Sequence, residues 1–241
     1  CASFVIFITM RILPGDVVTV ILSGSGEGVV SPEARAALQD ELGLNDSLVS
    51  QYFDWLTNML NGSFGGKSLE TREPLRSIIG KQLPVTLLLA TYSLFLAIFI
   101  SIPLGIYSSL KRDRLPDIVI RIISLTGLGI PNLWLAILVI LALLILLGWS
   151  PPVIYSSPLS NLLLHSQMVI WPAIILAWEQ SSLLIRIVRS NMLSILDQDY
   201  ILTAKSLGLS ETSIVLGHAL PNAYISTLTA LGLQFGTLVS G

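Results

Sequence analysis

The sequence predicts an all-α protein that crosses a membrane several times, and three observations carry that prediction. Of its 241 residues 53% are hydrophobic and only 12% are charged, against about 25% charged in a soluble domain, and the mean hydropathy is +0.78. Apolar runs of the roughly 20 residues that a bilayer crossing needs recur along the chain. Between two of these runs lies a polar segment, Asp199 to Asn222, with helix signals on both sides of a glycine. It must lie outside the lipid. About five spans are expected, the first and last of them incomplete.

Composition excludes several classes of function. A net charge of −2 and no basic tract interleaved with aromatics give no footprint for nucleic acid. Cys1 is the single cysteine, so neither an intrachain disulfide nor a cysteine metal cluster can form. No HExxH pattern, nucleophile elbow or Cys/His metal spacing occurs, and His165 and His218 fall on opposite sides of the predicted membrane. No catalytic residue, metal site or cofactor is expected. The Gly65-Gly66-Lys67-Ser68 run is not a phosphate loop, because position 61 is Asn and a helix, not a strand, precedes it. The Ser23-Gly24-Ser25-Gly26 run carries no such motif either.

Residues 1–13 are apolar but short, and read as part of a first span with Arg11 snorkelling to an interface. Pro14-Gly15-Asp16 is a turn signal. Residues 14–84 then read as an extracytoplasmic helical loop region. One helix starts at Ser31-Pro32-Glu33 and stops at Gly43; a second starts at Asp46 or Ser47 and stops at Gly62. Its face of Leu48, Tyr52, Trp55, Leu56, Met59 and Leu60 needs a partner, either packing within this protein or on the bilayer, or an external binding protein.

Residues 85–241 read as the membrane core. The second span opens at Leu83-Pro84 and runs to about Ser108, with Pro103 inside it. Lys111, Arg112 and Arg114 follow at once. That short cluster places this end of the span in the cytoplasm by the positive-inside tendency. The third span is expected from about Ile122 to Leu147, bent at Pro131, with Gly127 and Gly129 at a close helix contact. Gly148 to Gln167 is an outer loop in which Trp149 and Tyr155, with Trp171 just beyond, suit the interfacial aromatic belt and His165 is exposed. The fourth span, about Met168 to Met192, contains Glu179 and Gln180. An intramembrane carboxylate marks a functional position by default, so these two are candidates for a translocation path; a hydrogen bond from Glu179 to Gln180 or a serine is the structural alternative.

The polar segment after it, 194–222, is read as two short helices, Ser194 to Leu207 and a second capped by Ser210 and ending before Pro221, meeting at Gly208. A fifth apolar run begins at Ala223. Ala204 and Gly208, followed after nine residues by His218, Leu220 and Pro221, resemble the EAA motif of ABC importer permeases. The fuller set, Asp199-Tyr200, Thr203-Ala204, Gly208-Leu209, His218-Ala219-Leu220 and Asn222-Ala223, resembles the form found in the dipeptide, oligopeptide and nickel permease family. Arg11 with Pro14-Gly15-Asp16, Leu42-Gly43-Leu44, Gln51-Tyr52 and Gly62 to Ser68 are similar to other signatures of that family, although Val17 stands where the family has proline.

The resemblance implies a permease-type helical bundle of six spans, and hence a chain truncated at both ends. It implies that Asp199, Tyr200, Thr203, Ala204, Gly208, Leu209, His218, Leu220, Pro221 and Asn222 form the loop that seats on an ATPase. The expected partners are a second permease subunit, homologous or identical, two ATP-binding subunits, an extracytoplasmic solute-binding protein and the lipid bilayer, in the bacterial or archaeal cell membrane. The expected cargo is a dipeptide or oligopeptide, with nickel or another solute as the alternative within the family. An ion-driven secondary transporter, which would need buried charges and repeats, and a nontransporting scaffold are the readings from other classes.

Overall fold

A computed structural model describes residues 2–12, 18, 32–41, 43–64, 68, 71, 73–152 and 154–240. The Pro14-Gly15-Asp16 turn, Val17, Ser31 as a cap, Leu42, the glycine runs at 23–26 and 65–67, and the Arg11 side chain lie outside the described residues. Those described form helices and no strand. They fall into two compact units, 1–84 and 85–241.

In the first unit α1 (Ala2–Ile12), α2 (Pro32–Glu41) and α3 (Leu48–Leu60) are set by local signals. Gly43 adopts φ +62° beyond α2, and Gly62 φ +73° beyond α3, left-handed positions that glycine fills without a Cβ penalty. Ser47 Oγ accepts from Ser50 N–H at 3.3 Å and caps α3. Part of the apolar face of α3 finds its partner within this unit. Tyr52 packs edge-on against Phe4 and Phe7, with ring centroids 5.1 and 5.5 Å away, and its hydroxyl lies 3.1 Å from Ser3 Oγ. Leu48, Met59 and Leu60 remain exposed.

Helix α4 (Leu75–Leu110) begins in the first unit and continues into the second, which also holds α5 (Leu115–Gly129), α6 (Asn132–Leu147), α7 (Leu162–Leu196), α8 (Asp199–Ser206) and α9 (Glu211–Ser240). Among the described residues three helices, α4, α7 and α9, are long and apolar enough to cross a membrane; α5 and α6 make a fourth only when taken together. The 11 residues of α1 fall short of a span, in keeping with the short apolar run. Helix α4 starts eight residues before the expected opening at Leu83, with Pro84 inside it, and α7 extends beyond both ends of the predicted fourth span.

The third span departs most from expectation. It begins at Leu115, and it is not one bent helix but two, at 99° to each other. The cause is local: Ile130, forced out of the helical region by the proline that follows, sits at φ −101°, ψ 120°, and Pro131 at φ −61°, ψ 132°.

Helix α7 is the axis on which the others pack, and small residues allow the close approach. A Cβ on Gly127 of α5 would stand 2.0 Å from Ser182 Oγ, and one on Gly105 of α4 would stand 2.7 Å from Val188 Cβ. The buried stripe of α4, Ala90, Ser93, Ala97, Ser101, Gly105 and Ser108, repeats every three or four residues, the helical spacing of one face. Gly129, by contrast, faces open space. Hydroxyls buried on α7 are satisfied within their own helix, Ser181 and Ser182 donating to the carbonyls of Ala177 and Trp178.

His165 is not exposed as expected but 2% accessible. It lies in the first turn of α7, where Asn161 caps the helix. Its Nδ1 is 2.9 Å from the Ser156 carbonyl, and Tyr92 and Tyr155 meet the ring edge-on.

Candidate functional site

The polar segment between α7 and α9 folds as an elbow of two short arms. Its first arm is not one helix from Ser194. Helix α7 ends at Leu196, Gln198 is extended at φ −81°, ψ 149°, and α8 starts afresh at Asp199, whose carboxylate suits the positive end of a helix. The chain then turns at Gly208 with φ +82°, where a side chain would cost about 1–2 kcal/mol. Ser210 Oγ accepts from Ser213 N–H at 3.3 Å and caps α9.

The second arm does not end before Pro221 as expected. It continues as one 30-residue helix to Ser240, with a single wide turn over Val215–Ala219. There Leu220 N–H donates to the Val215 carbonyl, five residues back. Proline clashes with the carbonyl four residues before it, and a widened turn directly preceding Pro221 lets the helix pass.

The elbow has two faces of opposite character. Ile201, Ala204, Ile214, Val215, Ala219 and Ala223 are buried against Val188 and Met192 of α7, with Ile102, Ile106 and Leu110 of α4 packed on the same cluster. Ile201, Met192 and Ala219 are fully inaccessible; burying a side chain the size of Ile or Met is worth about 1.5–3 kcal/mol. Asp199, Tyr200, Thr203, Gly208, Leu209, His218, Pro221 and Asn222 form the exposed face, and Leu220 lies between the two. Ala204 is therefore a packing residue. On the exposed face Asn222 Nδ2 donates to the His218 carbonyl at 2.7 Å and to Tyr200 Oη at 3.3 Å. The bond to Tyr200 joins the two arms, and the bond to His218 lies within the second.

Beneath the elbow stands a buried ion pair that sequence reasoning misses. Asp117 of α5 has no exposed surface. Arg189 of α7 grips it in a fork, Nε and Nη2 each 2.7 Å from a carboxylate oxygen. Ser108 Oγ of α4 donates at 2.5 Å and Asp113 N–H at 2.9 Å. Four donors thus satisfy one carboxylate and tie three helices together, and this is the arrangement a buried charge requires. An exposed pair, Arg112 to Asp197 at 3.4 Å, adds a weaker link at the foot of the elbow. Asp117 lies only two residues into its helix, where an acid reads as an ordinary partner of the positive helix end, and nothing in the sequence points from it to Arg189.

The two intramembrane candidates sit apart from the elbow, farther along α7. Glu179 is half-buried, and it does not bond to Gln180 or a serine. Its partner is Asn132, whose amide donates to Glu179 Oε2. Asn132 is the first residue of α6, immediately after the break at Pro131, so Glu179 holds the corner of the broken span. Gln180 is buried on the side of α9, where its carbonyl accepts from Gln234 Nε2 at 3.4 Å.

Residues 101–241 match the family described as "Binding-protein-dependent transport system inner membrane component". A protein of Brucella suis, provisionally named a peptide transport system permease, is 37% identical over 98% of this chain and 73% of its own length. The oligopeptide transport system permease protein AppB of Bacillus subtilis is 35% identical over 98% of this chain and 74% of its own. The di/tripeptide transport system permease protein DppB of Pseudomonas aeruginosa is 33% identical over 98% and 75%. Apolar spanning helices and an inner-membrane family make this a multi-pass protein of the bacterial cytoplasmic membrane. The chain belongs to the binding-protein-dependent transport family, as a permease subunit of an ABC importer.

Proposed function

We propose that this chain imports peptides, pairing with a second permease subunit, homologous or identical, and with two ATP-binding subunits and one extracytoplasmic solute-binding protein. The peptide assignment rests on the relatives, named for peptide, oligopeptide, di/tripeptide and glutathione transport. ATP is hydrolysed on the separate subunits; this chain contributes a path and a lever. The observation that carries the reading is the two-faced elbow. Its exposed side, from Asp199 through Gly208 to Asn222, is free to seat on an ATPase, while its buried side is fused to α4 and α7. A push on the exposed face reaches the spans through packed side chains that cannot deform continuously.

Leu207 is 77% exposed and sits beside the turn, so it reports contact there. In the assembled four-part complex, a cysteine at Leu207 is expected to cross-link to the ATP-binding subunit, and more when ATP is bound. A cysteine at Leu233, 71% exposed on α9 but more than 20 residues farther along the chain, is the control. Equal cross-linking at both positions would remove the elbow from the interface.

Residues 1–13 are part of a first span, 14–84 the extracytoplasmic region, and 85–241 the core that holds the path. Glu179 and Gln180 border that path, Glu179 at the one corner among the described residues where a spanning element is interrupted. Glu179→Gln keeps the hydrogen-bonding shape toward Asn132 and removes the charge. It is expected to change uptake or the ranking of peptides by several-fold, on the order of 1 kcal/mol. Unchanged uptake and ranking would withdraw Glu179 from the path.

A further inference from the structure

Three arginines, Arg121 on α5 and Arg186 and Arg189 on α7, border one cleft of about 440 Å³ between those helices. Their charges are unevenly matched. Two carboxylates lie near: Asp117, whose two oxygens are taken by Arg189 at 2.7 Å, and Asp113, which pairs with Arg112 at 3.6 Å. Arg121 stands 3.8 Å from Asp117 Oδ1 and is 45% exposed. Arg186 is exposed and forms no ion pair among the described residues. Arg186 is therefore left over at the opening, and Arg121 is held to Asp117 only by a 3.8 Å ion pair, at the end of the bundle that also carries Lys111, Arg112 and Arg114.

Apart from Ser190, the rest of the cleft is apolar. Leu125, one turn beyond Arg121, is 58% exposed and Leu183, one turn before Arg186, is 38% exposed; Ile187 completes the wall. On α7 the positions 183, 186, 187 and 190 share one helical face. Cations at the membrane edge with uncovered aliphatic surface running from them into the span match a molecule with an anionic head and a hydrocarbon tail. Guanidiniums bind phosphate oxygens in a fork, and basic pockets between spans on the cytoplasmic side take phospholipid headgroups from an anionic leaflet.

We infer that this cleft is a binding site for an anionic phospholipid, its phosphate held by Arg121 and Arg186 and an acyl chain lying along Leu125, Leu183 and Ile187. Arg189 is excluded as a headgroup ligand, since its donors are committed to Asp117. The site is independent of the cargo and of the elbow. A lipid seated there bridges α5 to α7 outside the Asp117–Arg189 pair.

The assembled complex, reconstituted in vesicles of phosphatidylethanolamine and phosphatidylglycerol and released for native mass spectrometry, tests this. The wild type is expected to retain phosphatidylglycerol in preference to phosphatidylethanolamine. Arg186→Gln, which leaves no carboxylate unpaired, is expected to weaken that retention about tenfold, the loss of one charge-assisted contact. Arg121→Gln is expected to do the same, and Arg186→Lys to restore part of it. Retention unchanged in both Gln variants overturns the site. Displacement of the lipid by inorganic phosphate overturns it in favour of a soluble anion. Lost peptide transport with lipid retention intact overturns it in favour of a substrate contact. The assembled complex's mass and unfolding midpoint, measured alongside, separate a misfolded variant from a lipid-free one.

Discussion

At Gly208 the chain turns with φ +82° and no neighbouring atom within 4 Å of where a Cβ would stand; at Ile130–Pro131 it turns with Pro131 itself exposed but with the residues on either side engaged by α7. There Asn132 is bonded to Glu179, and Gly127, one turn earlier, is pressed against Ser182 and Trp178. Both breaks interrupt a helical framework, but their surroundings differ. The open break leaves its residues available to another protein, and its strength comes from the cluster beneath it. The closed break spends its polar groups inside the chain and fixes the shape of a span. Substitutions that disturb packing at the closed break are thus expected to act on stability, Glu179→Gln on the path it borders, and substitutions at the open break on coupling.

The largest effect is expected where three helices meet. Asp117→Ala removes the carboxylate and leaves Arg189 partly buried without its partner, a loss of about 3–5 kcal/mol for a buried pair. Much less assembled complex is expected, with a lower unfolding midpoint for what remains, and Asp117→Asn is expected to recover only part. A variant as stable as the wild type would show that the pair is incidental to the packing. Next comes the closed break. Gly127→Ala places a methyl group in the space of Ser182 Oγ, an overpacking cost of about 1–3 kcal/mol. Ser182→Gly in the same chain is expected to return most of it, and a double variant no better than the single one would mean that the two helices do not meet at this point.

Legibility from sequence divides along the same line. The stop at Gly43, the caps at Ser47 and Ser210 and the turn at Gly208 are readable because each depends on residues within about a turn of itself. The elbow as a two-armed surface is readable for that reason. Contacts between distant residues are not: Asp117 and Arg189 are 72 residues apart, and nothing in the spacing ties one to the other. His165 reads as exposed because the loop before α7 is polar, yet Tyr92 and Tyr155 enclose it. The proline signals mislead in both directions. Pro131 reads as a bend and breaks the span outright, because no helix hydrogen bond crosses Ile130–Pro131 to hold the two halves in line. Pro221 reads as a stop and is passed, because a wide turn precedes it and the buried residues Ala219 and Ala223 keep both sides on the same core.

The smallest expected change in stability carries the most direct test. In the assembled complex, Gly208→Val forces a β-branched side chain into the left-handed region at a cost of about 1–2 kcal/mol, enough to deplete the native turn about 5- to 30-fold relative to alternatives. Asn at the same position tolerates that conformation. Peptide uptake driven by ATP in reconstituted vesicles is expected to fall several-fold or more in Gly208→Val, to stay near wild type in Gly208→Asn, and to leave the unfolding midpoint of the spans almost unmoved in both. Full ATP-driven uptake by a correctly assembled Gly208→Val complex would contradict the elbow as the coupling element.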